Sequence, residues 1–136
     1  MVCKVLLDSS VLLQVYEGID VIDLISDELG WCDYYVLDAI INELSKISLS
    51  SKSLKGGAAR LALEYVRRRG VKVINTGAPN TSGDESILLF FKRDPKLREE
   101  FIVATNDDML KRELLRLHVK VITWWSSKFK YVVLGA

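Results

Sequence analysis

Short apolar, β-branched stretches alternate along the chain with segments of helical periodicity, and this alternation constrains the fold more than any single residue does. Residues 2–7, 34–37, 71–74, 101–104 and 119–124 read as buried strands. Between them the spacing predicts helices. Val21, Ile22, Leu24, Ile25 and Leu29 fall on one face between Gly18 and Gly30, with Asp20 as N-cap. A second helix, over 38–47, carries Ile40, Ile41, Leu44 and Ile47, and a third runs over 58–69. Ser82 caps a helix reaching Phe91, and the helix 108–117 turns Leu110, Leu114 and Leu117 inward. The Ser-, Lys- and Gly-rich stretch 48–57 reads as a mobile connection, and 131–134 as an edge strand or a packing tail. Helices returning the chain over such short connections predict an α/β domain with a mainly parallel sheet of about five strands. In such sheets, sites gather beyond the carboxyl ends of the strands.

The 136 residues accommodate one domain, spanning 1–136. A 49% hydrophobic and 27% charged composition is that of a globular protein with a core, and it argues against a disordered tail. No apolar run approaches the ~18 residues of a membrane span. Asp8 interrupts what would be the apolar part of a signal peptide, so a cytoplasmic protein is expected. Two cysteines and one histidine exclude four-thiolate and two-Cys, two-His zinc sites. Cys3 reads as a small core residue, Cys32 as a residue near a turn, and His118 as an ordinary helix-end residue. Charge is uneven: residues 1–50 hold two basic and nine acidic side chains, and 51–136 hold seventeen basic and nine acidic. That asymmetry points weakly to a polyanionic partner.

Two predicted strands end directly on an acid, at Leu6-Leu7-Asp8 and Ala104-Thr105-Asn106-Asp107, so parallel strands would bring both carboxylates to one edge. Glu43 lies on a helix face whose neighbours, Ile40 and Ile47, are apolar, and a glutamate there needs compensation. Asp84, with Glu85 beside it, starts the helix of Ile87, Leu88 and Phe91. Each has a plainer reading: helix caps or first-turn acids for Asp8, Asp84 and Asp107, and a misjudged register for Glu43. Together they describe converging carboxylates without thiolate or imidazole partners, a set that suits a hard cation, Mg²⁺ or Mn²⁺. The matching reaction class is phosphodiester hydrolysis. Neither nucleotide-binding glycine motif is present.

The segments LLDSSVLL, INELSKI, GDESIL and VATNDDMLKRELLRLHVKVI, in this order over nearly the whole chain, resemble the PIN domain family of metal-dependent ribonucleases. The resemblance implies a three-layer α/β/α sandwich and an acidic pocket for Mg²⁺ or Mn²⁺ held by Asp8, Glu43, Asp84 and Asp107. Glu85 is the alternative third acid, and Ser10, Thr105 and Asn106 would be supporting polar groups. It implies an endoribonuclease that cleaves RNA, either a VapC-type toxin with an antitoxin partner or an rRNA-maturation enzyme with a ribosome-assembly partner. A homodimer is compatible with it, and the long basic helix after Thr105-Asn106-Asp107 looks closer to the archaeal rRNA-processing relatives. The chain departs from the family at Asp8-Ser9-Ser10, at Leu37 and at Asp84-Glu85. These departures keep open a non-catalytic PIN-like module that binds RNA or protein.

Positive charge for RNA would come from Lys46, Lys52 and Lys55, from residues 67–69, and from Lys111, Arg112 and Arg116, each of which also reads as ordinary solvated surface. Trp124 and Trp125 could stack bases, although adjacent strand residues point oppositely, so one of them belongs to the core.

Overall fold

The computed structural model describes residues 3–50 and 54–135. Strand β1 (Lys4–Leu7) leads into helix α1 (Ser9–Leu12), a 3-10 turn (Leu13–Glu17) and helix α2 (Val21–Leu29). Next come β2 (Asp33–Leu37), α3 (Asp38–Ser50), α4 (Leu54–Arg68), β3 (Lys72–Ile74), α5 (Gly83–Arg93) and the short α6 (Leu97–Glu100). The chain continues through β4 (Phe101–Ala104), α7 (Asp108–Arg116), β5 (Lys120–Trp125), a 3-10 turn (Ser126–Lys128) and β6 (Lys130–Leu134). The sheet order is β3-β2-β1-β4-β5-β6, parallel except for β6. The expected sheet is therefore present with six strands instead of five, because residues 130–134 pair antiparallel along β5.

The near-continuous apolar strands are explained by their burial. Val5, Leu6, Leu7, Val36, Leu37, Val103, Ala104, Val121 and Ile122 are all fully enclosed, as parallel strands covered on both faces must be. Helices flank the sheet: α3 packs on α4, α4 on the first 3-10 turn, and α5 on α7. Phe90 and Phe91 fix α5 by edge-on contacts with Phe101 at the start of β4.

Two expectations are corrected by the fold. Cys3 and Cys32 are joined in a disulfide, with Cα atoms 4.6 Å apart, because β1 and β2 are adjacent and Lys4 is registered with Asp33. Strand pairing, invisible in the spacing of 29 residues, makes the bond. Of the supposed connection 48–57, residues 48–50 end α3 and residues 54–57 begin α4, while 51–53 lie outside the described residues. Ser48 Oγ donates to the Ser45 carbonyl within α3, and Arg60 reaches back to the Ser48 carbonyl at 3.0 Å. Gly56, which read as part of a linker, is buried in the second helix. No helix among the described residues is long and apolar enough to cross a membrane.

Candidate functional site at the carboxyl edge of β1 and β4

β1 and β4 are adjacent and in register, Leu7 against Ala104, while the chain leaves them toward opposite edges of the sheet. A crevice opens at such a reversal, and the residues next after each strand stand at its mouth. Those residues are Asp8 on one side and Thr105-Asn106-Asp107 on the other. The backbone continues the pairing for one more residue, with Asp8 N donating to the Ala104 carbonyl and Thr105 N to the Ile122 carbonyl.

Asp8 is only 2% exposed. Its Oδ2 accepts the hydroxyls of Ser10 at 2.7 Å and Thr105 at 2.8 Å. Its Oδ1 is buried with no hydrogen-bond partner. Burial raises the Asp8 pKa, against the two hydroxyls, which lower it. An unsatisfied oxygen on a buried carboxylate costs at least ~1–3 kcal/mol, so the site is built for something beyond its own stability.

Asp107 occupies the N-cap position of α7, where Oδ1 accepts the Leu110 N–H at 2.9 Å, so the plainer reading of this acid is also true of it. Its charge reaches Asp84 across the crevice. Thr105 Oγ1 joins the two motifs, donating to Asp8 and accepting the Asp107 N–H at 3.1 Å. Ser10 does the same from the β1 side, accepting the Asn106 N–H at 2.9 Å.

Glu43 comes from α3, which rises from the end of β2. Its carboxylate accepts Ser9 Oγ at 3.4 Å and the Gly83 N–H at 3.2 Å. A Cβ on Gly83 would sit 2.5 Å from Ile40 Cδ1 and 3.3 Å from Glu43 Oε1, so only glycine lets the start of α5 come this close. Loop 75–82 is held to α3 by Asp38, which accepts both the backbone and the hydroxyl of Thr76, and by Asn42, which donates to the Pro79 carbonyl. Asp84 is thereby delivered to the rim of the crevice. Desolvation by the surrounding walls and then the charges of Asp8, Asp107 and Glu43 push its carboxyl up to about 6. Asp84 and Glu85 are both exposed at the start of α5, and the Glu85 N–H goes to Ser82 Oγ in the helix cap.

Ser9, Gln14 and Gly83 are the site residues that sequence reasoning passed over. Gln14 is a polar residue in an otherwise apolar run and is buried; it accepts from Asn106 Nδ2 and from the Tyr131 hydroxyl. Asn106 Oδ1 in turn accepts the Trp124 N–H, so this side chain ties the acidic loop to β5 and to the 3-10 turn.

The basic candidates separate. Lys55 is exposed and shares an open pocket with Ser10 and Gln14, and Lys46 borders a hollow with Glu43, Asn42 and Ser82. Lys111 is committed to Asp108 at 2.9 Å and to Thr123, while Arg112 stays exposed. Arg116 pairs with Glu113 at the far end of α7, about 12 Å along the helix from its start, so proximity in sequence to Asp107 did not bring it to the acids. Arg69 is bound to Asp20 and Asp23 away from the crevice. Lys52 lies outside the described residues.

The donor set is all oxygen, which fits a hard divalent cation, and Asp8 Oδ1 is a buried oxygen waiting for a partner. Among the described residues no three His, Cys, Asp or Glu side chains are arranged to hold an ion together. The fit is therefore to a cation such as Mg²⁺ held by one or two carboxylates, with water completing its shell.

A doubly wound α/β domain with carboxylates clustered at its topological switch point defines the class. Its family comes from the sequence: a model of the PIN like domain matches residues 5–126, and the chain belongs to that family. Among solved structures it is similar to the PIN domain endonuclease Utp24, with a TM-score of 0.77 and 18% identity over 98% of this chain and 92% of that one. No curated protein matches the sequence.

Proposed function

We infer that the protein is a divalent-metal-dependent endoribonuclease whose site is formed by Asp8, Glu43, Asp84 and Asp107. The observation that carries this reading is the buried, unpartnered Asp8 Oδ1 beside Asp84, whose carboxyl is pushed up to about 6 by burial and by the charges of Asp8, Asp107 and Glu43. Membership of the PIN family supports RNA as substrate. Asp8 and Asp107 would hold Mg²⁺ or Mn²⁺, with Glu43 and Asp84 orienting its water shell. When bound, such a cation supplies charge neutralisation at the phosphate and lowers the pKa of a coordinated water.

The residues of the chain do the rest. Ser10 and Thr105 hold Asp8 by bonding a single oxygen, so the buried other one is left for the cation. Gly83 N and Ser9 Oγ fix Glu43. Asp84 carries the raised carboxyl of the set, because burial and the charges of Asp8, Asp107 and Glu43 disfavour its ionised form, and a bound cation would offset that repulsion.

The test is cleavage of labelled single-stranded RNA with Mn²⁺, Mg²⁺ or EDTA. Cutting with metal should fall about 10²–10³-fold in Asp8→Asn and in Asp107→Asn, with unchanged circular dichroism. Thermal melting supplies a second readout, because a cation that binds only the folded protein raises Tm in the wild type and less in Asp8→Asn. Equal cleavage in EDTA would overturn the reading. The second reading, a non-catalytic RNA-binding module, draws on the lack of a three-carboxylate cage among the described residues. RNA binding with neither cutting nor a metal-dependent rise in Tm would establish it instead.

A further inference from the structure

The β5–β6 hairpin stands taller than the rest of the sheet. β4 ends at Ala104, registered with Ile122, but β5 continues through Thr123, Trp124 and Trp125 before β6 returns from Lys130 opposite Trp125. Three strand residues carry the tip about 10 Å past the carboxyl edge. Asp107 lies the same three residues beyond Ala104, so the hairpin forms a wall beside it. Asn106 Oδ1 bolts wall to loop at 3.0 Å from Trp124 N.

Packing explains only part of the wall. Trp124 is half-buried and braced edge-on by Phe129 at 4.9 Å and Tyr131 at 5.0 Å. Strand alternation sends Trp125 to the opposite face, where it is 46% exposed with Lys128 Nζ 5.8 Å from its ring centre. Phe129 is 63% exposed at φ 48°, a left-handed conformation that bulky side chains rarely adopt. A turn there would form more easily with Gly or Asn and would expose no ring to water. Phe129 braces Trp124, but Trp125 has no contact with another ring among the described residues, and folding alone gives no reason for its exposure.

We propose that Trp125, with Lys128 beside its ring, forms a stacking platform for an unpaired base of single-stranded RNA whose backbone runs past the acidic crevice. The platform rests on the nuclease reading for where the phosphate lies. Four carboxylates repel a polyanion, so affinity has to come from beside them, through base faces and flanking cations. An aromatic face accepts any base, and a duplex offers it none. The charge at the tip favours RNA over a second copy of the chain: two tips face to face would bring the Lys128 side chains together, whereas a phosphate backbone matches them.

The experiment measures binding by fluorescence anisotropy in EDTA, with the full chain and a labelled 12-nucleotide RNA, the same RNA with abasic positions, and a duplex. Trp125→Ala should weaken single-strand binding about tenfold, Trp125→Phe should retain most of it, and the abasic strand and the duplex should bind wild type and Trp125→Ala alike. The platform is overturned if Trp125→Ala binds the single strand within twofold of wild type, if it loses the abasic strand equally, or if wild type binds no RNA. A dimer in sedimentation that dissociates in Trp125→Ala, with RNA affinity unchanged, would reassign the face to a contact between copies. Base-dependent binding without cleavage under any metal upholds the platform and removes the nuclease reading. Metal-dependent cleavage that Trp125→Ala leaves untouched does the reverse.

Discussion

At the amino end of the sheet, Arg69 closes on Asp20 and Asp23 at 2.7 and 2.8 Å, the Tyr65 hydroxyl adds a third bond to Asp20, and a disulfide joins Cys3 to Cys32. At the carboxyl end, Asp8 keeps an oxygen with no partner, and Asp84 is pressed by three like charges. The same residue type therefore has opposite effects on stability. Desolvation works against Asp20, but the Tyr65 bond, the Asp23 backbone and Arg69 outweigh it and hold its carboxyl below the ordinary aspartate range. Asp20 stabilises the fold above that range and loses its contribution as pH falls through its lowered value. For Asp84 the sign reverses: the folded state holds its proton more tightly, so stability is lost as pH rises from about 4 to about 6. One end of the sheet is satisfied and holds the fold together, while the other stores unfavourable negative charge that a cation would relieve.

The contrast can be broken first at the disulfide. Cys32→Ser, or reduction, should remove about 3–4 kcal/mol of stability in chemical denaturation, from the 29-residue separation of the bridge. RNA cleavage by the still-folded protein should persist, because the bond lies at the far end from the acids. Gly83→Ala should show the opposite partition. With a Cβ forced against Ile40 and Glu43, cleavage should drop about 10–100-fold, measured as kcat under saturating metal, for a stability loss of about 1–3 kcal/mol. Tyr65→Phe leaves the Ile22 N–H and Asp20 without their partner and should cost about 1–2 kcal/mol, with no change in activity. The smallest effect has the other sign. Asp84→Asn should be more stable than wild type by about 1 kcal/mol at pH 7.5 in EDTA, a value discounted because the group stands on the solvent-exposed rim. That gain should vanish near pH 4, and equal melting curves at both pH values would show that the acids do not repel one another.

Much of this was legible in the chain. Strand ends with acids, Asp20 and Ser82 as caps, and an inward Glu43 come from local pattern, because caps and periodicity involve residues within a turn of one another. The illegible part depends on neighbours distant in sequence. The Cys3–Cys32 bond needs the β1–β2 pairing, Arg69 needs the α2–α4 approach, and the role of Gly83 appears only when α5 meets α3. Residues 48–57 misled for a different reason. Serine and glycine are read as loop formers from their intrinsic preferences, and tertiary contact overrode those preferences once Arg60 capped the Ser48 carbonyl. The upward push on Asp84 from Asp8, Asp107 and Glu43 is likewise something that no spacing conveys.

The bonds around loop 75–82 have a mechanical consequence. Asp38 and Asn42 fasten that loop to α3, which ties Glu43 and Asp84 together, while Thr105 and Ser10 tie Asp8 to the loop of Asp107. Ser9 reaches from one group to the other, 3.4 Å from Glu43. The repulsion on Asp84 comes from Glu43 within its own group as well as from Asp8 and Asp107 in the other, so these bonds hold together like charges that would otherwise drift apart.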